Sequence, residues 1–389
     1  MKNVEYIIGS ENIVKTPMQP YSEESCNFIN AISAELMASS QIRIFTDLSA
    51  LAFWARKANI QKLKTNFGSN NNKIGRGLCF HIAPSNIPVN FAFSFFFSLL
   101  AGNANIVRLP SKSFAQVDYL CKVFEKVLKN YPEIKERTAF VRYPADNTIT
   151  TEFCKIADAR IIWGGDKTIA SIKTLETKPR CVDITFADRY SICILDSDKI
   201  LKADDDSMKK LSENFYNDTY LMDQNACSSP QLILWINDSE KAREKFWQSI
   251  YESAAKKYEL QDAVSVDKYT KACENAIILK DTKTQFTGNL LYRTEIKNLR
   301  PDMENIRGKG GYFYEYAIND FSELYKIVNE KYQTVTYFGI DTEKLMQGII
   351  QNNLLGIDRI VPVGKAMDIN VLWDGHDLAR ELSREIEIV

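Results

Sequence analysis

The residues best suited to chemistry stand in a few short segments. In DQNACSSPQLILW, Cys227 sits among small polar residues directly ahead of an apolar run. Such a loop can present a thiol, and a cysteine thiolate is nucleophilic near neutral pH, which suits acyl transfer. The competing reading is a small buried hydrophobe, the usual fate of a cysteine outside disulfides. In GRGLCFHIAPSNIPVN, Asn86 follows a strand-like run, with Pro84 and Pro88 stiffening the loop. A fixed amide there can hold a carbonyl oxygen, or it can serve only the turn. In AGNANIVRLPSKS, Arg108 ends an apolar run, and Ser111 and Lys112 follow. A cation at that place can grip a ribose or its phosphate, or it can be a solvated strand end. In ARIIWGGDKTIASIK, a strand runs through Gly164 and Gly165 into a helix start, which can offer N–H groups to a phosphate. The glycine pair is less than a full dinucleotide fingerprint, and Asp166 serves equally as a plain N-cap. The two histidines, His81 and His376, read as a core residue and a turn residue, since neither has an orienting partner in the sequence.

Composition narrows the classes. Acidic and basic residues nearly cancel, for a net charge of −1, so no nucleic-acid surface is expected. Two histidines exclude a multi-histidine metal site, and no metal is expected. Eight scattered cysteines without a CxxC pair, behind an N-terminus that lacks a signal-peptide pattern, lead us to expect reduced thiols in a cytoplasmic protein. The most apolar run, Phe91 to Gly102, is shorter than the ~20 residues a membrane span needs, so a buried helix is expected instead.

The elements that must position these residues follow a pattern. Residues 22–63 carry apolar side chains at helical spacing and read as an N-terminal helical layer. From Gly77, short apolar strands alternate with helices: LCFHIA, NIVRLP, TAFVRYP, ARIIWGG and YSICILD are the strands. This alternation predicts an α/β fold, with a parallel sheet that binds ligands at its strands' carboxyl ends. A second α/β unit is expected beyond about residue 203, with helices near 239–257, 264–276 and 320–331. Its strands are expected near NAIIL, GGYFYEYAI, QTVTYFGI and DRIVPV. The expected divisions are 1–74 (helical), 75–203 (nucleotide-binding), 204–358 (catalytic, with Cys227) and 359–389, whose alternating tail suggests an oligomer edge.

Taken in order, GRGLCFHIAPSNIPVN, AGNANIVRLPSKS, IIWGGDKTIASIK, DQNACSSPQ, YQTVTYFGID and DRIVPVGKAMDINVLWDGHDL resemble the aldehyde dehydrogenase superfamily. The nearer resemblance is to the LuxC family of acyl-CoA (fatty acid) reductases. It implies a Rossmann-like cofactor domain and a catalytic domain bearing the cysteine. It also implies a homo-oligomer, and reduction of an acyl-CoA or acyl-carrier thioester to an aldehyde. It places Cys227 as the nucleophile and Asn86 in the oxyanion hole. Arg108 falls where relatives carry a ribose-binding lysine, and Gly164 and Gly165 open the cofactor-side helix. Pro84, Ser85, Ser111 and Lys112 complete the expected cofactor contacts. Relatives also receive acyl groups from acyl-protein synthetase or acyltransferase subunits, so such a partner is implied.

The departures from the family pattern are informative. NAD-preferring relatives often carry a glutamate three residues after the ribose lysine; Ser111 stands here. A serine would not repel a 2′-phosphate and Arg108 would attract it, so NADPH is the expected cofactor. Aldehyde oxidisers carry a general-base glutamate in a segment matching VDITFADRYSICIL, where Thr185 falls near its place. Without that base, water is poorly activated and thioester exchange is favoured. No secure match exists for the glutamate that grips the nicotinamide ribose, Glu304 being out of register. Two rival readings remain: an aldehyde-oxidising dehydrogenase on the same fold, and a non-catalytic scaffold for nucleotide or partner.

Overall fold

The computed structural model describes residues 3–69, 71–84, 87–279 and 281–389. The chain forms two compact units, residues 1–187 with 371–389, and residues 188–370.

The first unit is built on a six-stranded sheet in the order β1-β5-β4-β3-β6-β7. Its strands are β1 Glu5–Ile8, β3 Leu78–Ile82, β4 Ala104–Arg108, β5 Thr138–Arg142, β6 Ala159–Trp163 and β7 Val182–Phe186, while β2 Lys73–Gly75 lies outside it. All neighbours are parallel except β1, which pairs antiparallel with β5. The central strand LCFHI is buried along its whole length, as expected of a parallel strand covered on both faces. The apolar run forms the helix Asn90–Leu100, and all eleven of its residues are buried. A helix apolar on every side belongs inside a protein or a membrane. Here the helix Glu23–Met37 of the N-terminal layer packs against it. No helix among the described residues is long and apolar enough to cross a membrane.

The second unit carries a seven-stranded sheet in the order β10-β11-β12-β9-β8-β13-β14. Its strands are β8 Tyr190–Asp196, β9 Pro230–Ile236, β10 Lys283–Thr287, β11 Leu291–Glu295, β12 Tyr312–Ala317, β13 Tyr332–Phe338 and β14 Arg359–Pro362. Only the edge strand β10 is antiparallel. The core on one face holds Phe215, Trp235, Phe246, Trp247 and Phe313. Within it, Glu315 is 1% exposed. Its Oε2 accepts the indole N–H groups of Trp235 and Trp247 at 2.8 and 2.7 Å, and its Oε1 accepts Arg293 Nε–H at 2.9 Å.

The chain then returns to the first unit through a hairpin, β15 Leu372–Trp373 and β16 His376–Asp377, and the strand β17 Ser383–Glu385. The tail expected as an open edge pairs with β2 of its own chain.

Several expectations on element boundaries are corrected. The segment NAIIL ends the long helix Asp262–Ile278 rather than forming a strand. A short apolar run is ambiguous between the two states, and here the helix simply continues through it. The helix expected at 320–331 spans only Phe321–Tyr325. The expected division near residue 203 falls at 187 instead, because β8 pairs with β9 and β13 of the second sheet. The residues 371–389 likewise belong with the first unit.

Candidate active site

In the second unit, Cys227 lies on a turn between the helix Asp205–Asp218 and β9, and the residue is half-buried. Two consecutive left-handed residues, Asp223 (φ 51°) and Gln224 (φ 60°), reverse the chain ahead of it. Non-glycine residues adopt that conformation only when their surroundings enforce it. Gln224 supplies the enforcement. Its Oε1 accepts from Gly311 N and Tyr312 N at 3.3 and 3.2 Å, and its Nε2 donates to the carbonyls of Pro230 and Tyr312, both at 3.1 Å. Gln231 repeats the device on the other side of the turn. It accepts from Gly308 N at 2.8 Å and donates to Gln224 O at 3.1 Å. The Cys227 carbonyl accepts Ser191 Oγ–H at 2.7 Å, and Ser191 in turn accepts Thr334 N–H at 3.2 Å. Residues of β8, β9, β12 and β13 thus fix the backbone at the thiol. Such a held backbone pre-organises a reacting group. The two glutamines escaped the sequence reading; the only trace is their placement on either side of the cysteine in DQNACSSPQ.

A second support comes from the loop after β14. Ser228, next to the thiol, donates its hydroxyl to Met367 Sδ at 3.7 Å. That loop is clamped by Asp218, whose carboxylate accepts Gly364 N–H at 2.6 Å and Ala366 N–H at 3.0 Å. Gly364 needs to be glycine, since its φ is +97° and a Cβ would meet the Asn214 side chain at 2.5 Å. Burial pushes the Asp218 carboxyl up to about 7, against the pull of its two N–H donors. A carboxyl raised in the folded state contributes stability that is present below about pH 4, the unfolded range, and is lost as pH rises through about 7. Urea denaturation should therefore find the wild type more stable near pH 5 than near pH 8 from this group. Asp218→Asn should flatten that difference and cost about 1–3 kcal/mol near pH 5, because its amide turns a donor toward a donor. An unchanged pH slope would remove Asp218 from this role.

The first unit gathers the other sequence candidates at the carboxyl edge of its sheet. Pro84 follows β3, Arg108 ends β4, and Gly164 and Gly165 follow β6. Arg108 lies over the Tyr143 ring at 4.4 Å, while Ser111 and Lys112 are exposed in the bend that follows. Asn86 and Ser85 lie outside the described residues. Gly165 opens the helix Asp166–Lys173 with no side-chain cap on the first turn, and a Cβ there would meet nothing within 4 Å. A helix start without a side-chain cap and an approachable backbone at Gly165 suit a phosphate, and Arg108 adds a cation at the same sheet edge, on β4, with β3 between it and β6. These residues fit a dinucleotide.

Behind this edge runs a buried polar chain. Asn105 Nδ2 donates to Asn103 O at 2.8 Å, so its Oδ1 faces His81 Nε2 at 2.9 Å. His81 Nδ1 then takes the Ser94 hydroxyl at 2.8 Å, and Ser94 Oγ accepts the Trp163 indole N–H at 3.2 Å. Burial pushes the imidazole down to about 4, so His81 is neutral and structural, as expected. Trp163 in turn stacks on Phe186 with ring centroids 3.8 Å apart. Glu304 lies in the second unit on a short 3-10 turn, with its Oε2 buried and unpartnered among the described residues. Among those residues no group of three or more His, Cys, Asp or Glu is arranged to hold a metal.

The architecture is that of the aldehyde dehydrogenases. A 1-pyrroline-5-carboxylate dehydrogenase from Thermus with bound NAD superposes with a TM-score of 0.66 at 13% identity, over 93% of this chain and 80% of that one. An NAD-dependent benzaldehyde dehydrogenase from Corynebacterium glutamicum gives 0.61 at 13% identity, over 95% and 85%. An NADP-dependent glyceraldehyde-3-phosphate dehydrogenase from Bacillus halodurans C-125, complexed with NADP, gives 0.60 at 14%, over 93% and 85%. At such identities the likeness speaks for the fold. No curated protein matches the sequence. The family is settled by a match over residues 11–385: the chain belongs to the acyl-CoA reductase (LuxC) family. It is accordingly an oxidoreductase that acts on an acyl or aldehyde group.

Proposed function

We propose that the protein reduces an acyl thioester, acyl-CoA or acyl-protein, to an aldehyde through an acyl-enzyme on Cys227. The observation that carries this reading is the half-buried cysteine on a turn fixed by Ser191, Gln224 and Gln231, in a chain of the acyl-CoA reductase family.

The Cys227 thiolate attacks the thioester carbonyl; a carbon–sulfur bond to Cys227 forms, and the bond to the donor thiol breaks. The oxyanion of that step is held by the Asn86 amide and the Cys227 backbone N–H. Asn86→Ala should slow turnover by about 10²-fold, the scale for one such donor, measured as kcat with an acyl-CoA substrate. A rate within twofold of wild type would take Asn86 out of the mechanism. A reduced nicotinamide dinucleotide, when bound, supplies the hydride for the reduction. Arg108, Ser111, Lys112, Gly164, Gly165, Pro84 and Ser85 are the residues assigned to hold it. With Ser111 in place of a carboxylate and Arg108 beside it, NADPH is preferred over NADH. Collapse of the thiohemiacetal on Cys227 releases the aldehyde and restores the thiol. A homo-oligomer, a cytoplasmic location and an acyl-protein synthetase or acyltransferase partner belong to the same reading.

Intact-protein mass spectrometry tests it. Incubation with a panel of acyl-CoAs, without reductant, should add one acyl mass, and NADPH should then discharge it. No adduct with any CoA or protein-bound acyl donor, together with acid formation from aldehyde and NADP, would replace the reductase by an oxidiser.

A further inference from the structure

The helix Asp262–Ile278 places a lysine inside the second unit: Lys268 is 2% exposed. Among the described residues no carboxylate pairs with it, and burial alone pushes its ammonium down to about 8. A buried cation is costly, and an apolar chain of the same length would pack the helix without that cost. What the ammonium adds is donors. Its Nζ donates to the carbonyl of Asn289, in the turn between β10 and β11. It also donates to the carbonyl of Gly310, ahead of β12, at 2.8 Å. The same nitrogen lies over the Tyr292 ring at 4.6 Å. Gly310 is held from its other side as well. Its N–H donates to Asp223 O at 3.1 Å. Its φ is +57°, and a Cβ would meet the Val264 side chain, one turn before Lys268, at 2.6 Å. Asp223 is the first of the two left-handed residues that reverse the chain ahead of Cys227. Tyr258 anchors the Asp223 carboxylate with a hydroxyl donor at 2.6 Å and leaves the Asp223 carbonyl to Gly310. The second left-handed residue is reached through the next peptide group. The group joining Gly310 to Gly311 has its carbonyl on Lys268 Nζ and its N–H on Gln224 Oε1. A peptide group is planar, so fixing one end aims the other.

We propose that Lys268 is a positioning residue for the Cys227 thiol. By bridging the Asn289 and Gly310 carbonyls, it fixes the Gly310–Gly311 peptide that holds both left-handed residues of the turn. The inference rests on the acyl-enzyme reading above. Lys268 touches neither the thiol nor any reacting atom in this account. It acts through Gly310 on Asp223 and Gln224, and through them on where Cys227 points. A reacting group is aimed only as well as the residues behind it are held, and a misplacement of about 1 Å can cost 10²-fold in rate. Without the ammonium, the Gly310 carbonyl loses its charged donor, and the peptide group is free to turn its N–H off Gln224. The thiol then remains in its loop but is no longer aligned on a bound thioester.

Two single-turnover reactions of the full chain test the proposal, each followed by mass spectrometry well below the melting temperature of every variant. The first is acylation of Cys227 over a range of acyl-CoA concentrations. The second is alkylation of Cys227 by iodoacetamide, which needs an accessible thiolate but no alignment with a bound thioester. Lys268→Met keeps the length of the side chain and removes the donors. Its limiting acylation rate should fall about tenfold or more, within the range that misalignment of a reacting group spans. The half-saturating acyl-CoA concentration should stay within about twofold, and alkylation within about threefold, since binding and access are untouched. Lys268→Gln keeps an amide donor on a shorter stem that cannot bridge both carbonyls, and its limiting rate should fall about threefold or more. Should the methionine variant fail to fold, the glutamine variant carries the test alone. A limiting rate within twofold of wild type in either folded variant, with only the melting temperature lowered, would make Lys268 a purely structural residue and overturn the proposal. Equal losses of acylation and alkylation would mean that the thiol is withdrawn rather than misaimed, and would overturn it too. If the wild type takes no acyl group from any CoA or protein donor, the acyl-enzyme reading itself fails, and this inference falls with it.

Discussion

Cys227→Ala, incubated with acyl-CoA, is expected to gain no acyl mass and to lose thioester reduction by about 10⁴-fold or more, the scale on which removal of a covalent nucleophile acts. The expectation follows from the division of labour in the turn. The hydrogen bonds that shape it come from Ser191, Gln224 and Gln231 and end on backbone atoms. Cys227→Ala keeps these bonds, and an inactive variant should still melt like the wild type. The control is Cys273, an exposed thiol on the helix Asp262–Ile278. Cys273→Ala should acylate and turn over normally. Acylation that persists in Cys227→Ala and vanishes in Cys273→Ala would show that the adduct is a surface side reaction and would sink the mechanism.

The second large effect is on stability. Glu315→Leu should destabilise the second unit by about 3–5 kcal/mol, as removal of one partner from a buried ion pair does. The substitution leaves the Arg293 guanidinium in the core without the Glu315 carboxylate. It also leaves the indole N–H groups of Trp235 and Trp247 without an acceptor. Glu244 still meets Arg293 at 3.2 Å, but its side chain is 61% exposed, so it compensates weakly. The fluorescence of Trp235 and Trp247 reports the loss directly in urea. The double variant Glu315→Leu with Arg293→Met should recover part of it, because an apolar replacement of both partners removes the stranded charge. A single-variant loss under about 1 kcal/mol would mean that the carboxylate is not the organising group of this core.

The sequence by itself carried the alternation of strands and helices, and with it two α/β units with mainly parallel sheets. Most strands are short apolar runs, so periodicity is a local signal. It also singled out Cys227, because a thiol among small polar residues ahead of an apolar strand is a local pattern. Asn86 was picked out in the same way, though its placement lies outside the described residues. The local signal failed where two states compete for one run. NAIIL reads as a strand alone and is helical only because the helix that starts at Asp262 runs on into it and ends there, at Ile278.

What the tertiary structure decided is everything that joins distant segments. The unit boundary at residue 187 follows from strand pairing across more than a hundred residues, which no window of sequence contains. Gln224 and Gln231 look like ordinary polar neighbours of the cysteine until the segment Gly308–Tyr312 arrives to bond them. His81 lacked a partner in the sequence because Ser94 and Asn105 lie on other elements. His376 had its carboxylate, Glu381, five residues away, yet a turn and a short helix had to form before the two could meet. Periodicity is set by neighbours along the chain. Hydrogen-bond partners and buried charges are set by neighbours in space, and those exist only once the sheets have paired.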